Sequence, residues 1–72
     1  MKTEANISFG KRVASLRALR GQSQEALALE SGFDRTYIGT IERGEKSATI
    51  NSIVKIAKGL NVSLKQLFDY ES

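Results

Sequence analysis

The stretch Ser23–Gly44, SQEALALESGFDRTYIGTIERG, decides the fold. Ser23 ahead of Gln24, Glu25, Ala26 and Leu27 reads as a capped helix start: a serine hydroxyl can accept from an orphan backbone amide, and Glu25 suits the positive end of the helix dipole. Gly32 breaks the chain and Asp34 offers a second N-cap. From Asp34 the residues Arg35 to Arg43 run as another short helix, which Gly44 stops. Cap, helix, glycine turn, cap, helix is the layout of a helix-turn-helix.

Outward from this motif the chain reads as all-α. Proline is absent, and apolar residues recur at spacings of three and four almost throughout. A first helix is expected from about Ile7 to Arg20, with Phe9, Val13 and Leu16 on one face and Gly21 just past its end. After Gly44 comes a polar loop, then Thr49 as the cap of a fourth helix bearing Ile50, Ile53, Val54, Ile56, Ala57 and Leu60. Asn61 suits a left-handed helix end, and Ser63 with Gln66 makes a capping box for a fifth helix. Residues Met1 to Ala5 and the tail Glu71–Ser72 are expected to fray, leaving an ordered core of about 7–70. The helices of the motif are too short to persist alone, so Leu27, Ala28, Ile38 and Ile41 must hold them by packing. Ala28 is expected where helix axes approach closely.

The 72 residues allow one small domain with no room for a separate catalytic or effector unit. Composition is that of an ordinary globular protein, with no apolar run able to span a bilayer and no signal-peptide pattern at the start, so a cytoplasmic protein without membrane association is expected. Cysteine and histidine are both absent, which removes disulfides, zinc sites of the usual ligand types, thiol nucleophiles and imidazole bases together. An enzyme is not expected, nor a cofactor, a metal or a small-molecule ligand. A net charge of +3 points weakly to a polyanionic partner. Lys11, Arg12, Arg17, Arg20, Arg35, Arg43 and Lys46 fall around the motif, although a solvated basic surface would look the same.

From Phe9 to Phe68 the chain resembles the helix-turn-helix domain of phage repressors and Cro proteins. The residues that carry this are SQEALA from Ser23, Gly32, YIGTIERG from Tyr37 and IAKGLNVSLKQLF from Ile56. The resemblance implies a compact five-helix, lambda-repressor-like DNA-binding domain whose helix-turn-helix is formed by helices 2 and 3. Within that family, DRTYI followed by IERG in so short a chain is most similar to the controller proteins of restriction–modification systems, small dimeric regulators acting at operator DNA near their own promoter. Ala48 and Gly39 depart from the pattern, where relatives often have proline and serine.

In such a domain the recognition helix places its N-terminal end in the major groove. Arg35 is the candidate to read guanine, with Thr36 and Thr40 on the same exposed face; Tyr37 either packs against the turn or reaches the DNA. Ser23, Gln24, Arg43, Lys46, Ser47 and Asn51 are candidate phosphate ligands, with generic surface polarity as the alternative. The resemblance also implies an ion pair between Arg17 and Glu42. The expected partner is double-stranded DNA, a pseudo-palindromic operator bound by a homodimer. Its interface is expected among Leu60, Leu64, Leu67, Phe68 and Tyr70, with Leu64 and Phe68 mostly internal. Alternatives are a phage-type repressor, an antitoxin-like autoregulator, or a helix-turn-helix interaction module that does not bind DNA.

Overall fold

Each helix begins the same way, with a side-chain oxygen folded over its first free amides. In the computed structural model, which describes residues 2–71, these caps are Thr3, Ser23, Asp34, Thr49 and Ser63. They accept from the amides of Asn6, Ala26, Tyr37, Ser52 and Gln66 at 2.8–3.1 Å. The helices are α1 (Glu4–Leu19), α2 (Gln24–Ser31), α3 (Arg35–Glu42), α4 (Ile50–Leu60) and α5 (Leu64–Leu67), and no strand occurs among the described residues. Gly32 ends α2 at φ 80°, and Asn61 ends α4 at φ 57°, the left-handed conformation that satisfies late carbonyls.

The first helix starts earlier than its apolar pattern suggested. Thr3 caps it, Glu4 sits at the positive end of its dipole, and Asn6 bonds Ser47 across the molecule, so Thr3 to Ala5 belong to an anchored start. Met1 and Ser72, also expected to fray, lie outside the described residues.

The core is one cluster drawn from all five helices: Phe9, Val13, Leu27, Ala28, Ile38, Ile41, Ile56, Ala57, Leu60 and Leu67. α2 packs on both α3 and α4, α1 crosses α3, and α5 closes the end against α1 and α4. Ala28 is buried in the core, and two glycines make further close approaches. A Cβ on Gly10 would run into the carbonyls of Ile41 and Glu42, the latter at 2.6 Å, and one on Gly59 would lie 2.9 Å from Leu27 Cδ1. α1 can therefore lie directly on the end of α3, and α4 directly on α2.

The apolar C-terminal region divides differently from expectation. Leu60 and Leu67 are fully buried, so neither can present surface to a partner. Leu64 and Phe68 are 47% and 46% exposed. With a single turn laid across α1 and α4, α5 can turn only part of its apolar set inward, and Leu67 takes the inner place. Ile50, expected on the apolar face of α4, is exposed in the helix's first turn.

Candidate nucleic-acid interface

The exposed face of α3 is set by what its other face must do. Ile38 and Ile41 are buried in the core, which turns Arg35, Thr36, Thr40 and Arg43 outward along one stripe at helical spacing. Arg35 and Thr36 are exposed in the first turn, directly after the Asp34 cap. Thr40 is one turn on, and its hydroxyl donates to the Thr36 carbonyl at 2.8 Å while its oxygen accepts from Arg43 Nη2 at 3.5 Å.

Tyr37 is half-buried and packs on Phe33, with ring centroids 4.5 Å apart; the Lys55 ammonium lies 5.5 Å from the Phe33 ring centre. The tyrosine thus has the packed environment offered as one of its readings. Phe33 was missed as a contributor, because an aromatic in a turn carries no periodic signal.

Behind the stripe, Glu42 gathers three donors. Arg17 meets it through Nε at 2.7 Å and Nη2 at 3.0 Å, and Gln24 Nε2 donates at 2.9 Å. The ion pair is largely withdrawn from solvent, with the side chains 19% and 6% exposed. The hydrogen bond to Glu42 raises the pKa of Arg17, with its charge adding to the effect and burial opposing it. A third guanidinium nitrogen donates to the Gln22 carbonyl at 2.8 Å, so Arg17 ties α1 to the start of α2 and the end of α3 together. Gln24, expected to reach a phosphate, spends one of its two amide protons on Glu42 and keeps the other.

Of the remaining phosphate candidates, Ser23 has its oxygen on the Ala26 amide and its own proton still to give. Ser47 exchanges hydrogen bonds with Asn6 at 3.0 and 3.2 Å, which joins the loop to α1. Lys46 is exposed in that loop and Asn51 in the first turn of α4. Arg43 is bound to Glu45 at 3.0 Å.

Three of the cations around the motif are structural ties. Arg12 donates to the Gln66 carbonyl at 2.7 Å, Arg17 is paired as described, and Arg20 donates to the Gly59 carbonyl at 2.9 Å, beside Gln22 at 3.1 Å. The late carbonyl of α4 is thereby satisfied by side chains from the first helix and its turn. After α5, Phe68 stacks on Phe9, at 5.5 Å, and on Tyr70, at 6.3 Å. Burial raises the pKa of the Tyr70 hydroxyl, with nearby Arg12 opposing. No group of potential metal ligands and no helix long and apolar enough to cross a membrane occurs among the described residues.

Comparison with known proteins agrees with this architecture. The helix-turn-helix family profile matches residues 13–67. The chain is 39% identical over 71 residues to the control protein C.BamHI of Bacillus amyloliquefaciens, covering 97% of this chain and 88% of that one. It is 44% identical over 59 residues to the control protein C.SmaI of Serratia marcescens, covering 82% and 70%. The crystal structure of the restriction–modification controller protein C.AhdI from Aeromonas hydrophila superposes with a TM-score of 0.89 at 39% identity, over 92% of this chain and all of that one. With its capped α2–turn–α3 unit, its outward stripe on α3 and these relatives, the chain belongs to the helix-turn-helix family of DNA-binding regulators, alongside the control proteins of restriction–modification systems.

Proposed function

We propose that the chain is a controller of this kind: a homodimer that binds a pseudo-palindromic operator near its own promoter, in the cytoplasm, and responds to its own concentration rather than to a small molecule. The observation that carries the reading is the outward stripe of α3, in which Arg35, Thr36 and Thr40 stand opposite Ile38 and Ile41 and are backed by the buried Arg17–Glu42 pair. Base reading needs side chains held on a rigid helix, and this stripe is held from behind. Arg35 reads guanine through two donors to O6 and N7, and Tyr37, steadied by Phe33, follows the sugar–phosphate edge or a deformable base step. Ser23, Gln24, Arg43, Lys46, Ser47 and Asn51 set register on the phosphates.

One recognition helix reads too few base pairs to be specific, which calls for a second copy. Leu64, Phe68 and Tyr70 form its contact surface, since Leu60 and Leu67 are consumed by the core. A gel shift with the DNA upstream of the coding sequence, at two salt concentrations, tests the reading. A specific shift that weakens with salt is expected, and Arg35→Ala should relax preference at one base position by about 1–3 kcal/mol. A shift indifferent to salt, or an Arg35→Ala protein with unchanged base preference, contradicts it.

A further inference from the structure

Arg43 ends α3 on its outward stripe, yet its guanidinium is folded back along the helix. Nε donates to Glu45 Oε2 at 3.0 Å, Nη2 lies 3.5 Å from Thr40 Oγ1, and Nη1 sits over Gly39, 3.0 Å from where a Cβ would stand. The head group therefore rests across the middle of the recognition helix, between Thr40 and the Gln24 side chain. Two features of this sequence create that seat: the glycine at 39, and an acid two residues beyond the arginine, in the loop.

We propose that Glu45 is a specificity-determining residue that competes with phosphate for Arg43, so that the guanidinium passes to the DNA backbone only when the recognition helix is fully docked, and sequence-independent binding is held down. The inference rests on the reading of Arg43 as a phosphate ligand. A carboxylate offers a guanidinium the same charge-assisted acceptor chemistry as a phosphate oxygen. In loose binding the protein rides in the counterion atmosphere with no phosphate fixed against Arg43, and an acceptor held at 3.0 Å keeps it. In the docked complex a phosphate is fixed in reach and the exchange becomes even.

The strength of the contact fits this role. Both side chains are well exposed, at 55% and 40%, and exposed ion pairs are weak, so the pair can be opened by DNA. The contact is nonetheless made in the structure, at 3.0 Å, and that hydrogen bond lowers the pKa of Glu45 and raises that of Arg43.

The test is fluorescence anisotropy on a mixed-sequence duplex across a salt series, with the unsubstituted 72-residue chain, Glu45→Gln, Arg43→Ala and the double variant. All four should keep their helical circular dichroism, since both side chains lie at the surface. Glu45→Gln is expected to tighten binding to this duplex about two- to fivefold per protomer and to steepen the dependence of log K on log salt by about 0.9 per protomer. In the Arg43→Ala background the same change should do neither. An equal gain in both backgrounds overturns the proposal, because Glu45 would then act by general repulsion. No gain with Arg43 present also overturns it. If Glu45→Gln tightens binding only when Arg43 is present but the salt slope stays constant, the exchange onto phosphate is wrong. Failure of the Arg43 reading itself is distinct: Arg43→Ala would leave affinity unchanged in either background.

Discussion

Replacing Glu42 by alanine should cost far more than removal of one surface charge. The substitution takes away an acceptor of three hydrogen bonds, from Arg17 Nε and Nη2 and from Gln24 Nε2. It leaves the Arg17 guanidinium in a site where its side chain is only 19% exposed. A buried cation that loses its partner costs about 3–5 kcal/mol. A chain of 72 residues has a total stability of about 4–11 kcal/mol at typical values per residue. The variant should therefore lie at the edge of unfolding, with its Tm lowered by at least about 12 °C at the usual sensitivity for this size. Urea denaturation followed by far-ultraviolet circular dichroism measures this directly, with every variant at the same protein concentration. The companion is the double variant Arg17→Met, Glu42→Leu, which removes both charges and keeps the volume. It should return to within about 1 kcal/mol of the original chain or exceed it, because desolvation of the pair offsets most of its attraction. A loss below about 1 kcal/mol for Glu42→Ala, the range of exposed pairs, would refute the argument. So would a double variant no more stable than the single.

Two glycines inside helices should respond to alanine with opposite sign in the same denaturation assay. Gly59→Ala places a Cβ 2.9 Å from Leu27 Cδ1 and 3.3 Å from the Ser31 backbone, and overpacking of about 1–3 kcal/mol should exceed the helix-propensity gain. Gly39→Ala meets the movable end of Arg43 at 3.0 Å and the Gln24 side-chain oxygen at an ordinary 3.7 Å, and should stabilise by up to about 1 kcal/mol. At the C-terminal end, Leu67→Ala should cost about 2–5 kcal/mol of folding, whereas Phe68→Ser should chiefly raise the dissociation constant of the proposed dimer, read by sedimentation equilibrium. Glu45, whose pKa is lowered by Arg43, should titrate below the ordinary carboxylate range by NMR and return toward it in Arg43→Ala. The sign follows from that lowering: its small contribution to stability is present above the ordinary carboxylate pKa and lost as pH falls through the depressed value.

Legibility followed the range of the interaction. Ser23, Asp34, Thr49 and Ser63 could be read as caps because a cap satisfies an amide three residues away, and Gly32 and Asn61 as stops because their φ is a local matter. Thr3 was passed over since the apolar periodicity of α1 begins only at Ile7, and its anchor, Ser47, lies 41 residues from Asn6. The stripe of α3 was visible because Ile38 and Ile41 had to be inside. The positions of Arg12 and Arg20 were not, because their carbonyl partners, Gln66 and Gly59, lie 54 and 39 residues away. Charge alone cannot say whether an arginine faces solvent or closes a helix end.

By itself, then, the order of residues determined that this chain is a series of five helices, four of them with legible caps, and a helix-turn-helix at its centre, since each such cap, stop and apolar spacing acts within about one turn. Only the tertiary structure decided which apolar residues near α5 are core and which are surface, that glycines at 10 and 59 set the two close helix crossings, and that Glu42 serves both Arg17 and Gln24. The physical reason is that Gly10 and Gly59 matter through a missing Cβ against a backbone or side chain far along the chain. A side chain's worth in such a place depends on what stands opposite it, and that is settled when the helices pack.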